Sequence, residues 1–113
     1  MDFREASNAH RDWKIRLRSY IAGVGEALDE ADVARSDVCA LGRWLHGIPE
    51  AERDAVTMDL IAVHERFHAC AAEVVATAQR GSRTEALAML DPGTAFADAS
   101  FRVVALIARV AGR

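Results

Sequence analysis

The sequence predicts an all-α fold: an antiparallel four-helix bundle with an additional short helix around Cys39. Alanine, the strongest helix former, occupies 23 of 113 positions and proline only two. Apolar residues recur at steps of three and four, the spacing that lines one face of a helix, in several separate stretches. No segment alternates apolar and polar residues for long enough to make a half-buried strand. Amphipathic helices joined by short breaks bury their stripes most simply by packing side by side.

The first helix is predicted to begin near Phe3. Its stripe runs through His10, Trp13, Leu17, Tyr20, Ile21 and Val24, and it frays where Gly23 and Gly25 arrive. The acidic stretch "EALDEADVA" reads as a connection to Ser36, a residue type that caps helix N-termini. "DVCALGRWLHG" then reads as a short helix closed by Gly47 and Pro49, with Cys39 in its first turn. The longest helix is predicted from about Ala51 to Arg80, with His64, Phe67, His68, Ala71 and Val75 on its apolar face and a stop at Gly81. Ser82 can cap a further helix, "RTEALAML". "DPG" at 91–93 breaks it before a last helix that turns Phe96, Val103, Val104, Ile107 and Val110 inward.

At 113 residues the chain is predicted to form one domain over 1–113, with no linker and no internal repeat. A net charge of −3 and a pI near 5.8 provide no basic field, which argues against nucleic acid as a partner. Apolar runs fall short of the roughly 20 residues that span a bilayer, and the N-terminus is charged from Asp2. The expectation is a cytoplasmic protein with no membrane association. Cys39 and Cys70 could form one disulfide; a reduced setting, with cysteine as ligand or packed thiol, fits equally.

Three of the four histidines fall on the apolar stripes. His64 and His68 stand one turn apart on one face, so both rings can reach a single ion at the ~2.0–2.1 Å of a Zn–N bond. A facing helix would bring His10. Cys39, near a helix N-terminus whose partial positive charge favours a thiolate, would complete a tetrahedral set of three nitrogens and one sulfur. Cys70 follows His68 by two residues and points about 200° away around the helix, so it reads as a packed thiol. His46 reads as a partly exposed residue near a helix C-terminus. Gly42 lets the short helix lie close to its neighbours, and Trp44 offers an apolar anchor that fixes how Cys39 points.

"HRDW" at 10–13, "CALGRW" at 39–44 and "HERFH" at 64–68, with 28 and 24 residues between successive candidate ligands, resemble the chemoreceptor zinc-binding domain of bacteria. Three separated motifs agree with that family in order and spacing over essentially the whole chain. The resemblance implies that His10, Cys39, His64 and His68 hold one Zn²⁺ inside a four-helix bundle. It also implies a homodimer and a signalling partner, a chemoreceptor or a diguanylate cyclase, to which the domain reports zinc or oxidants. Here the domain is expected to stand alone, with no such output attached.

"HERFH" also fits the H-E-x-x-H pattern of zinc peptidases, in which the glutamate, here Glu65, acts as general base. A catalytic zinc keeps one position open for water, and a set closed by His10 and Cys39 leaves none. The longer peptidase pattern needs glycine and histidine where the chain has Ala71 and Val74. Glu65-x-x-His68 is also half of a di-iron bundle motif, whose second copy is missing. The chain is therefore expected to be a zinc-linked regulatory domain and not an enzyme, with oxidant sensing through Cys39 and a purely structural zinc as the alternatives at the same site. Glu65 is left as a surface residue or an outer partner of a ligand.

Overall fold

The computed structural model describes residues 1–113, and every regular element in it is helical. The helices are α1 (Phe3–Ile21), α2 (Glu30–Val33), α3 (Ala40–His46), α4 (Ala55–Gln79), α5 (Arg83–Ala88) and α6 (Ala95–Ala111), with one 3₁₀ turn at Glu50–Glu52 before α4.

Side-chain oxygens cap the long helices: Asp2 accepts from the Glu5 amide, Asp54 from Thr57 and Thr94 from Ala97. Gly81, at φ +85°, supplies the left-handed residue that ends α4. The sequence expectation placed the start of α4 near Ala51. Pro49 and the 3₁₀ turn delay it until Asp54 offers a capping carboxylate.

The chain runs up, down, up, down. Arg113, just past α6, bonds Asp54 and Thr57 at the start of α4, and Phe67 packs on Phe96 near the start of α6 with ring centroids 5.4 Å apart. These two helices are therefore antiparallel. α1 runs alongside α4 in the same direction, because His10 meets His64 and the turn at Gly23 lies against Arg83 just beyond α4. The return between them is made by residues 22–54. Val33 reaches His68 halfway down, and Trp44 sets its edge on Phe3 at the start of α1, 5.2 Å between centroids.

The bundle expected from the sequence is thus present, with its fourth place divided. "RTEALAML" is the six-residue α5, a connection between α4 and α6 and not a full bundle member. The second passage is made by α2, α3 and the turns around them. Leu17, Leu60, Phe67, Val74, Val103 and Ile107, each at most 1% exposed, fill the middle of the bundle. Val24 departs from the expected stripe: it follows the end of α1 and is exposed. Val104 is half-buried at the edge of the core. No helix is long and apolar enough to cross a membrane.

Candidate metal centre

The structure gathers all four predicted residues. One donor atom from each of His10, Cys39, His64 and His68 lies within 4.8 Å of the others. α1 supplies His10, α4 supplies His64 and His68 from successive turns, and Cys39 enters from the descending passage. The three histidines are 1–2% exposed, and Cys39 is half-buried.

The backbone fixes which nitrogen of two rings faces the cluster. His10 Nδ1 lies 2.7 Å from the Ala6 carbonyl and His68 Nδ1 lies 2.9 Å from the Val33 carbonyl. A carbonyl only accepts, so each Nδ1 carries the proton and each Nε2 presents a lone pair. His68 Nε2 is 3.1 Å from His64 Nε2, and Cys39 Sγ is 3.3 Å from His64 Nε2 and 3.8 Å from His68 Nε2. His10 Nε2 is buried and has no hydrogen-bond partner at all. A buried nitrogen left in that state costs about 1–3 kcal/mol unless something electrophilic meets it.

A cation meets that need. In a tetrahedral zinc site with Zn–N near 2.0–2.1 Å and Zn–S near 2.3 Å, the edges are about 3.3–3.4 Å between nitrogens and about 3.5–3.6 Å between nitrogen and sulfur. The spacings within the cluster bracket those edges. Metal-bound histidines characteristically donate their second N–H to a carbonyl or carboxylate, as His10 and His68 do here. The donor set therefore fits zinc.

Electrostatics favours the form that binds. Burial lowers His64 from the usual 6.5 to about 3, helped by the neighbouring His68, His10 and His46. Burial also lowers His10, against the opposing effect of its bond to Ala6, with a smaller push downward from His68. His68 is lowered by burial, in spite of its bond to Val33 and with a contribution from Arg16. All three are neutral imidazoles near pH 7.

Cys39 is not inside the first turn of a helix begun by Ser36. It is itself the N-cap of α3, and its Sγ accepts from the Gly42 amide at 3.4 Å. The helix begins three residues later than expected because Ser36 lies in a turn folded back against Gly42. A Cβ at 42 would stand 1.8 Å from the Ser36 carbonyl oxygen. Gly42 thus permits the close approach anticipated from sequence, and the neighbour it admits is its own preceding turn. Trp13 forms a wall beside His68, with ring centroids 6.1 Å apart. On that wall sits the Arg16 guanidinium, 3.8 Å from the centroid and tied to Glu26 at 2.6 Å.

Two clefts lead from the surface to this cluster. One of about 200 Å³ is lined by Asp2, Glu5, His10 and Cys39; another of about 310 Å³ reaches Cys39 and His68 past Arg16 and Asp29. The residues set aside in the sequence lie elsewhere. Cys70 is a free, half-buried thiol beside Phe96 and Met89, raised by burial first and then by Glu73. Glu65 and His46 are exposed. The carbonyls of Ala6 and Val33, which orient two of the rings, had no signal in the sequence, since every residue carries that group.

The family profile of the chemoreceptor zinc-binding domain matches residues 10–75. The match starts at His10, takes in Cys39, His64 and His68, and stops before α5 and α6, a shorter span than the near-complete resemblance read from the motifs. Searches of curated proteins and of solved structures each returned no match. With more than half its length matched and a zinc-compatible donor cluster at the centre of that span, the chain belongs to the chemoreceptor zinc-binding domain family.

Proposed function

We propose that residues 1–113 act as one zinc-responsive regulatory domain, in which His10, Cys39, His64 and His68 hold a single Zn²⁺ and its presence is passed to a bacterial signalling partner in the cytoplasm. The observation that carries this reading is the buried, partnerless His10 Nε2 aimed into a cluster of two further imidazoles and a thiol. A metal held by those four residues joins α1, α4 and the descending passage, so loading biases how three parts of the bundle pack. The family's name supports a chemoreceptor as the partner; a diguanylate cyclase and a homodimeric assembly are what the motif resemblance implies.

A four-ligand set leaves no position for an activated water, so the domain is read as non-enzymatic. Glu65, the base a peptidase would need, is exposed on α4. An oxidant input at the same site is favoured by one observation: Cys39, unlike the histidines, is only half-buried and borders both clefts. Oxidation of its sulfur would remove a ligand and weaken the metal.

Metal analysis of the purified protein tests the proposal. About one zinc per chain is expected, with occupancy lowered in both Cys39→Ala and His64→Ala. Full occupancy in both variants would remove the site, and zinc content unchanged by hypochlorous acid would remove the oxidant input.

A further inference from the structure

A further cleft lies away from the metal cluster, between α1 and α6. It has a volume of about 430 Å³, and its α6 wall, Ser100 apart, is apolar, with Ala97, Phe101, Val104, Ala105 and Ala108 at its centre and no charged residue. These positions recur at steps of three and four and form one continuous strip about three turns long. Phe101, which lines the cleft, is 75% exposed. A large aromatic side chain left this open along an apolar strip marks a contact surface.

The opposite wall carries charge. Arg11 and Lys14 line the cleft from α1. Arg4 and Arg18, seven residues before Arg11 and seven after it, fall within about 20° of it around a helix with 3.6 residues per turn. Arg11 and Lys14 thus stand beside an apolar strip, and Arg4 and Arg18 continue the same face of α1 beyond the cleft. None of them is paired: the ion pairs of the chain use Arg16, Arg35, Arg102 and Arg113. In a chain of net charge −3, an unpaired basic row along one groove is a local feature with its own complement.

We infer that the α1–α6 groove docks an amphipathic helix of a partner protein, one with an apolar stripe for the α6 wall and acidic residues facing Arg4, Arg11, Lys14 and Arg18. Charge complementarity selects this occupant over a second copy of the chain. Two copies meeting face to face through this groove would bring two basic rows together with no carboxylate on either α6 wall to meet them. The concave shape, with a basic wall on one side only, suits a cylinder better than a flat membrane surface. The groove is independent of the metal site, so it stands or falls separately from the zinc reading.

Selection from a displayed library of helical peptides about 14 residues long, the length that spans roughly 20 Å, tests the inference on the full zinc-loaded chain. Enriched sequences are expected to combine apolar residues at i, i+3, i+4 and i+7 with flanking Asp or Glu. Their binding should weaken at least about tenfold in Arg11→Glu/Lys14→Glu and in Phe101→Ala, and should weaken with rising salt. These positions are exposed or half-buried, so far-UV circular dichroism and zinc content should be unchanged in the variants. Failure to enrich any sequence, enrichment without an acidic bias, or binding indifferent to the substitutions overturns the inference. Dimerisation lost in Phe101→Ala would assign the groove to a second copy, and binding to phosphatidylglycerol vesicles lost in Arg11→Glu/Lys14→Glu would assign it to a membrane; either result also overturns it.

Discussion

Gly42→Ala sets two effects of opposite sign against each other. In a helix interior alanine is favoured over glycine by about 0.8–1.0 kcal/mol, so propensity alone expects a more stable protein. The added Cβ would stand 1.8 Å from the Ser36 carbonyl oxygen, 2.8 Å from its carbon and 3.1 Å from the Asp37 Cα. All three are backbone atoms, so no change of rotamer clears them, and the Ser36–Asp37 turn has to retreat by more than 1 Å to reach even the 3.0 Å limit of real Cβ contacts. Overpacking of this kind costs about 1–3 kcal/mol or more and outweighs the gain in propensity. Cys39 lies two residues beyond Asp37, and a metal–ligand bond tolerates only about 0.2 Å of misplacement. The displaced turn therefore takes the sulfur out of range.

Two readouts follow from that substitution. Zinc affinity, measured by competition with a chromophoric chelator, should fall by about tenfold to a hundredfold, the range seen when a residue orienting a ligand is lost. The metal-free form should melt lower, by about 4 °C for each kcal/mol lost in a domain of this size, and zinc should raise the melting temperature less than it does in the wild type. A Gly42→Ala variant that binds zinc as tightly as the wild type and melts at the same or a higher temperature would refute the role given to this close approach.

In the metal-free protein the buried histidines stay neutral in the fold below 6.5, where the unfolded chain takes up protons. Stability should therefore fall as pH drops through that window, by up to about 1.4 kcal/mol per pH unit for each histidine, with His64 contributing down to about 3. Urea unfolding after chelation checks this, and a slope no smaller in His64→Gln counts against the buried neutral ring. Cys70→Ala and Glu65→Gln should each leave zinc content unchanged by elemental analysis, since one is a packed thiol and the other is exposed; loss of metal in either would redraw the ligand set. Thr94→Ala removes the N-cap of α6 and should cost about 1 kcal/mol in urea unfolding of the metal-free chain with zinc affinity unaltered; a shift in affinity would tie α6 to the metal cluster.

The helical class and the gathering of His10, Cys39, His64 and His68 were legible because both are written in spacing. His64 and His68 share a face at any helix geometry, and His10 sits one turn before Trp13 on the α1 stripe. What escaped the sequence depends on main-chain atoms brought together by the fold. α2 reads as an acidic connection, and only its placement against α4 turns the Val33 carbonyl into the acceptor that orients His68. Ser36 is the better capping residue by type, yet its carbonyl is pressed against Gly42, so capping passes to Cys39, whose sulfur meets the Gly42 amide. "RTEALAML" has the composition of a full helix and forms only a six-residue connection, because the fourth place in the bundle is already filled by the passage from Ala22 to Asp54. The groove beside α1 was hidden for the same reason. Arg11 and Lys14 line a groove only once α6 supplies its second wall.

X-ray absorption at the zinc K edge of the metal-loaded protein, combined with elemental analysis, bears most directly on the metal centre. One sulfur at about 2.3 Å and three nitrogens at about 2.0–2.1 Å, with about one zinc per chain, is the expected result. A shell without sulfur, or one with two, would contradict it.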